Sequence, residues 1–187
     1  NFINYKNEIE NYYNLKKSGV INNTEILIQN YIKPVEVIII GAVHIAQYLI
    51  KFLNDLNFNV TVVDPREYFT TKQKFQNIEI INKWPEEFFK NIQTNSNTAL
   101  ITLTHDPKID EPALKHALKK KFFYIGALGS KKTHNNRCKR LKDEGFNDKE
   151  IDSIHGPIGI KLGGKSAPEI ALSIIAQLVS ETNKYKN

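Results

Sequence analysis

Three of the five histidines lie in loops beside predicted strands, where their side chains can reach a bound ligand. His44 comes after the apolar run 35–40, His105 comes after 98–104, and His155 lies in the loop before the last predicted strand. A histidine in such a place can relay protons, bind a metal or clamp a cofactor. The HxxxH and HExxH spacings of zinc sites do not occur, so the sequence predicts ligand binding without a dedicated metal centre.

All three histidines also have a purely structural interpretation, and for His155 it is a simple turn with Gly156 and Pro157. His44 opens a predicted helix and could bond to nearby backbone. Asp106, beside His105, is suited to cap a helix that has Pro107 in its first turn. Both interpretations remain open, and capping by Asp106 is compatible with a ligand contact from its neighbour.

The first predicted strand runs into half of a dinucleotide-binding fingerprint. Gly41 supplies the tight turn, Ala46 the small residue in the helix, and Asp64 the acid that would meet a ribose hydroxyl. Val43 replaces the glycine that lets backbone approach a pyrophosphate, which argues against conventional NAD binding. Alternatively, Gly41 and Ala46 only allow close packing of helix on strand.

A hydroxyl and two lysines follow the fifth predicted strand. Ser130, Lys131 and Lys132 come directly after Gly129 and open a helix, where backbone amides favour a phosphate group. The alternative is a solvated basic helix face, which is the usual meaning of a run of like charges.

Strands and helices alternate from residue 35 onward, which predicts parallel βαβ units with right-handed crossovers. We therefore predict an α/β fold, a doubly wound Rossmann-type parallel sheet in the order 3-2-1-4-5-6. The predicted strands are 35–40, 59–64, 78–81, 98–104, 122–128 and 158–160, and the predicted helices are 45–57, 85–90, 111–121, 131–144 and 168–182.

The polar residues 1–34 read as a separate N-terminal arm, or as the remnant of a preceding domain. They include a helix around 5–17 and a strand at 25–32, whose free edge could pair with a second copy of the chain. Residues 35–187 form the predicted cofactor-binding domain.

Composition narrows the class of partner. The 187 residues carry a net charge of +6 with acids and bases interleaved, which suits an anionic small molecule better than nucleic acid. No apolar run is long enough to span a bilayer, and there is a single cysteine, Cys138. These features predict a protein of the cytoplasm.

Six short segments, taken together in this order and spacing, resemble the Rossmann domain of the XdhC/CoxF family, the maturation factors of xanthine and carbon monoxide dehydrogenases. The resemblance runs from about Tyr31 to Thr182. The segments are GAVHIAQ at 41–47, VDPR at 63–66, LTHD at 103–106, YIGALGSKK at 124–132, HGPIG at 155–159 and PEIALSI at 168–174.

This resemblance implies a chaperone that binds the molybdenum cofactor, without catalytic turnover of its own. Its expected partners are an apo-molybdenum hydroxylase of the xanthine dehydrogenase type and a sulfurating cysteine desulfurase, and a homodimer is also expected. Lys131 or Lys132 would meet the pterin phosphate. The implied cofactor-binding residues are Gly41, His44, Asp64, Arg66, Thr104, His105, Asp106, Gly129, Ser130, Lys131, Lys132 and His155.

Two other functions fit the same fold. Rossmann topology together with Asp64 is compatible with an NAD(P)-dependent oxidoreductase, although the remaining length offers no recognisable substrate domain. A nucleotide-sensing regulatory module would need only the fold and an oligomer interface.

Overall fold

The arm forms a helix and a small hairpin that pack on each other. In the computed structural model, which describes residues 2–15, 17–31, 34–67, 75, 78 and 80–186, a short 3-10 helix (Phe2–Tyr5) leads into α1 (Lys6–Asn14). Strands β1 (Gly19–Val20) and β2 (Leu27–Ile28) then pair antiparallel.

The rest of the molecule is built around a six-stranded parallel sheet. Its strands are β3 (Glu36–Ile40), β4 (Asn59–Val63), β5 (Ile80–Ile81), β6 (Thr98–Thr102), β7 (Tyr124–Ala127) and β8 (Ile154–His155). They lie in the order β5-β4-β3-β6-β7-β8, which confirms the predicted order. The chain reverses direction across the sheet between β3 and β6, and ligands of such sheets bind at that switch point.

Helices cover both faces of this sheet. They are α2 (His44–Asp55), α3 (Pro85–Lys90), α4 (Pro107–Lys120), α5 (Lys131–Asp143), α6 (Asp148–Asp152) and α7 (Ala167–Lys186). Helices α2 and α7 enclose one core with the sheet, and α3 to α6 enclose the other.

The sequence forms these elements for ordinary packing reasons. Four of the five residues of β3 are buried, because a central parallel strand is covered on both faces. Helix α2 buries Ala46, Leu49, Ile50 and Leu53, whose spacing places them on one helical face.

Three sequence predictions need correction at the end of the chain and at α4. The strand predicted at 158–160 is wrong: the last strand is β8, and the unpredicted α6 precedes it. Ile158 is apolar because it packs over Gly126, where an added Cβ would lie 2.3 Å from Ile158 Cδ1. Helix α4 begins at Pro107, four residues before the predicted start, with Asp106 as its N-cap.

The strand predicted in the arm is shorter than predicted and is paired along one edge within the chain, so its pairing with a second copy stays a prediction. The part of 25–32 that forms a strand is β2, and β1 of the same chain pairs with it; residue 32 lies outside the described residues. The Tyr12 hydroxyl donates to the carbonyl of Val20 at 2.9 Å, and the Asn30 side chain donates to the carbonyl of Tyr12 at 2.7 Å. The arm therefore satisfies much of its polar backbone by itself.

Over the described part of the chain, no helix is both long and apolar enough to cross a membrane.

We propose that residues 35–187 are a domain that folds without the arm. Among the described residues, the two core clusters of the sheet begin at Val35 and take no side chain from the arm. A chain that begins at Val35 should therefore melt within about 5 °C of the full chain, measured by circular dichroism. Aggregation, or a loss of cooperative melting, would instead show that the arm completes the fold.

Candidate functional site

The carboxyl edge of the sheet gathers the loops that follow β3, β4, β6 and β7. Helices α2, α4 and α5 begin at this edge, because each follows one of these strands. Their unpaired amides and aligned dipoles favour negative charge, so this edge suits an anionic ligand.

Asp64, directly after β4, is buried, and its hydrogen bonds link the loop after β3 to the loop after β4. Its Oδ2 accepts from the backbone N–H of Ala42 at 2.8 Å and from Arg66 Nη2 at 2.7 Å. Its Oδ1 accepts from the backbone N–H and the Nε of Arg66, both at 2.9 Å. Four hydrogen bonds fill the acceptor positions of the carboxylate, so this geometry does not offer Asp64 to a ribose.

The Arg66 guanidinium bonds to Asp64 and is also influenced by acidic side chains that follow β6. The hydrogen bond to Asp64 raises the pKa of the Arg66 guanidinium, and the charges of Asp106 and Asp110 act in the same direction. Three acidic side chains, Asp64, Asp106 and Asp110, therefore favour the positive charge of Arg66.

Gly41 allows the loop after β3 to approach the loop after β6. Its φ of +111° is in the left-handed region, and an added Cβ would lie 2.7 Å from Thr104 Cγ2. Val43 has a φ of −84° and packs against the core below α2. Val43 in place of glycine therefore causes no backbone strain, and the sequence alone did not show this.

Asp110, in the first turns of α4, fixes the loop after β6. Its Oδ1 accepts from the Thr104 hydroxyl at 2.7 Å and the Thr104 N–H at 3.3 Å, and its Oδ2 accepts from the His105 N–H at 3.2 Å. The side chain is almost completely buried, and this burial raises its pKa to about 6. The hydrogen bonds from Thr104 and His105 and the charge of Arg137 oppose that rise.

His44 and His105 remain exposed at this edge, on loops of the adjacent strands β3 and β6. The His44 ring meets Tyr48 edge-on, with 5.2 Å between ring centroids. His105 has a positive φ of 63°, which is unusual for a residue with a side chain. Asp106 caps α4 by accepting from the N–H of Lys108 at 2.9 Å.

The start of α5 supplies a second set of donors. Gly129 has a φ of +142°, and Ser130 caps the helix by accepting from the N–H of Thr133 at 3.1 Å. Lys131 and Lys132 are exposed in the first turn.

Below this turn lies Arg137, which is almost fully buried and donates to the carbonyl of Leu128 at 3.0 Å. Burial lowers the pKa of its guanidinium, while the charges of Asp110 and Glu111 oppose that change. The buried guanidinium of Arg137 thus bonds to the loop after β7 and is influenced by Asp110, which holds the loop after β6.

The structure does not bring His155 to the other two histidines. Its ring stacks on Tyr124, with 4.9 Å between centroids and 19° between planes. The Tyr124 hydroxyl donates to Gln177 of α7, and the charges that act on His155 are Glu181 and Lys184 of the same helix. Burial lowers the pKa of this imidazole. His155 ends β8 at the carboxyl edge, two strands away from β6, and its neighbours there are Tyr124 and α7.

Sequence reasoning missed Asp110 and Arg137. Each precedes a buried leucine by four residues, Leu114 and Leu141, and therefore shares its helix face. That periodicity was the available signal, but it is easily hidden because Arg137 belongs to a basic run.

Within the described ranges, His, Cys, Asp and Glu side chains form no group of three or more that could hold a metal ion.

Comparison with known proteins identifies the family. The model of the XdhC Rossmann domain matches residues 37–178, which is most of the chain. The chain therefore belongs to this family.

Two curated relatives and one solved structure are similar to this chain. The molybdenum cofactor insertion chaperone PaoD of Escherichia coli is 39% identical over 88 residues, covering 47% of this chain and 28% of PaoD. A protein of Bacillus subtilis, named as a probable xanthine dehydrogenase subunit, is 28% identical over 158 residues, covering 83% of this chain and 46% of that protein.

The solved structure is described as a xanthine dehydrogenase from Bacillus halodurans. It superposes with a TM-score of 0.70 at 29% identity and covers 81% of this chain and 43% of its own. The chain thus spans less than half the length of each of these relatives.

Replacing Asp64 should destabilise the fold strongly. Asp64→Asn removes the charge that pairs with Arg66 and puts an amide where an acceptor is needed, so the free energy of unfolding should fall by about 3 kcal/mol. Urea denaturation measures this change. Glu36→Gln is the matched control, because Glu36 is exposed and bonded to Asn59, and it should cost about 0.5 kcal/mol or less. Equal losses in the two variants would contradict the role assigned to Asp64.

Proposed function

We propose that this XdhC-family domain binds the molybdenum cofactor along the carboxyl edge of its sheet and delivers it to a xanthine dehydrogenase-type molybdoenzyme. The observation that carries the proposal is the meeting of three helix N-termini, two exposed imidazoles and two exposed lysines at that edge. The similarity to a protein named as a molybdenum cofactor insertion chaperone supports it.

The donors at this edge fit the chemistry of the cofactor. Phosphate suits the amides at the start of α5 with Lys131 and Lys132 beside them. The polar edge of a pterin suits hydrogen-bond donors such as His44 and His105. When bound, the cofactor would bring the molybdenum chemistry of the client enzyme.

The residues of this chain would have different parts in binding. We propose that Ser130, Lys131 and Lys132 hold the phosphate end and that His44, Thr104 and His105 orient the pterin end. Gly41, Asp64, Arg66, Asp106 and Gly129 would shape the loops that carry these side chains.

His155 is the one predicted residue to which we assign no part in binding the cofactor, because its ring stacks on Tyr124. Its place beside α7 suits a packing role.

We propose further that the domain acts in the cytoplasm without catalytic turnover, and that it meets two proteins there. One is the apo-molybdenum hydroxylase that receives the cofactor, and the other is a cysteine desulfurase that sulfurates it. A homodimer would place two such edges in one particle.

Cofactor binding can be measured directly. The full chain, purified from a host that makes molybdenum cofactor, should carry molybdenum and pterin in near-equal amounts, the pterin read as its fluorescent oxidation product. His105→Ala should reduce the bound pterin. The double variant Lys131→Ala/Lys132→Ala should retain the cofactor about tenfold less well, because it loses charge-assisted bonds to phosphate.

The double variant Lys119→Ala/Lys120→Ala is the matched control. It removes the same charge, but these exposed lysines end α4 at the opposite edge of the sheet. It should bind as the unchanged chain does. A protein that carries NAD, NADP or an adenine nucleotide in place of pterin would overturn the proposal and favour a nucleotide-binding Rossmann module.

A further inference from the structure

We infer that Asp110 is a positioning residue for the carboxyl-edge site: its ionised carboxylate holds the Thr104–His105 loop in the shape that meets a ligand, and protonation of that carboxylate releases the loop. The inference rests on the proposed function only for the identity of the ligand.

The loop needs such a tie because its backbone is strained. His105 has a φ of 63°, and a side-chain-bearing residue keeps this conformation only where its surroundings fix it. Asp110 supplies three hydrogen-bond acceptor contacts, two to Thr104 and one to the N–H of His105. Thr104 in turn packs against Gly41, so the same tie also sets the loop after β3.

A proton on Asp110 would break this arrangement at a defined atom. The ionised carboxylate accepts strongly from all three donors, whereas a protonated Oδ2 is a much weaker acceptor and carries a donor of its own. Among the described residues, Oδ2 has one partner, the His105 N–H, so a proton on Oδ2 would set two donors against each other. The His105 backbone would then lose its tie, while Oδ1 could still accept from Thr104.

The charged groups around Asp110 set where this proton binds. Arg137 acts on it from α5, Arg66 acts with it from the loop after β4, and Asp106 lies in the same loop as His105. Glu111, the next residue of α4, is paired with Arg140 at 2.8 Å. Burial outweighs Arg137 and the hydrogen bonds from Thr104 and His105, and raises the Asp110 pKa from 3.8 to about 6.

The direction of the effect on stability follows from this shift. Because the folded-state pKa lies above the ordinary value of 3.8, the contribution of Asp110 to stability is fully present below that ordinary value and is lost as pH rises through about 6. Near neutral pH, the protein therefore holds an ionised carboxylate at a cost in stability, and that carboxylate keeps the loop fixed.

Solution NMR of the ligand-free full chain tests this inference. The side-chain carboxyl carbon of Asp110 and the backbone amide of Thr104 should titrate together with a midpoint near pH 6. After correction for intrinsic exchange, the His105 amide should exchange about tenfold faster at pH 5 than at pH 7.5. In Asp110→Asn, the Thr104 amide should lose the transition that follows the Asp110 carboxyl carbon, and the His105 amide should exchange fast at both pH values.

Asp148→Asn is the matched control, because Asp148 is an exposed acid paired with Lys142 on the far side of α5. It should titrate as the unchanged chain does. Amides of Thr104 and His105 that do not move between pH 5 and 7.5 in the unchanged chain would overturn the inference. This titration needs no variant, so the test stands even where Asp110→Asn fails to fold.

Cofactor loading separates this inference from the proposed function. Loading of the molybdenum cofactor should fall at pH 5 in the unchanged chain and should be low at both pH values in Asp110→Asn. A loop that titrates in a protein that never binds pterin would refute the proposed function and leave the positioning role intact. Full loading of Asp110→Asn at pH 7.5 would refute the positioning role alone.

Discussion

Two buried carboxylates organise the carboxyl edge of the sheet. Asp64 accepts the backbone N–H of Ala42, and Asp110 accepts those of Thr104 and His105. A buried carboxylate is costly unless hydrogen bonds and opposite charge compensate it, so each one fixes the loop that supplies its donors. Arg66 is influenced by both carboxylates and therefore couples the two loops on either side of the switch point.

This arrangement separates the residues that shape the edge from those that can touch a ligand. Asp64 is buried with its acceptor positions filled, whereas His105, Lys131 and Lys132 remain exposed. An acid after the second strand of a Rossmann sheet normally suggests a ribose contact. Here Asp64 instead accepts from the backbone N–H of Ala42 in the loop after β3. The same sequence position thus has a structural role, and the donors facing outward are cationic or neutral.

Local sequence patterns predicted the sheet order and, to within one residue, the starts of α2, α3, α5 and α7, because apolar runs and capping residues act over a few positions. They failed where burial came from distant contacts. Ile158 reads as a strand residue yet fills the space over Gly126, and His155 turns to Tyr124 rather than to the other histidines. Asp110 reads as a surface acid, since its three donors are fixed only when α4 packs beside β6.

The proposed function requires the domain both to hold and to release its cofactor, and the Thr104–His105 loop offers a means for both. A non-glycine residue at positive φ stores about 1–3 kcal/mol, so the Thr104–His105 loop has a relaxed alternative once its tie is lost. The loop is held by the single carboxylate of Asp110, whose burial already disfavours its charged form. A small change in its surroundings therefore shifts the equilibrium between the ionised and the protonated carboxyl group. Under the proposed function, a client protein that covers the edge would deepen that burial, favour the proton and so loosen the loop for transfer.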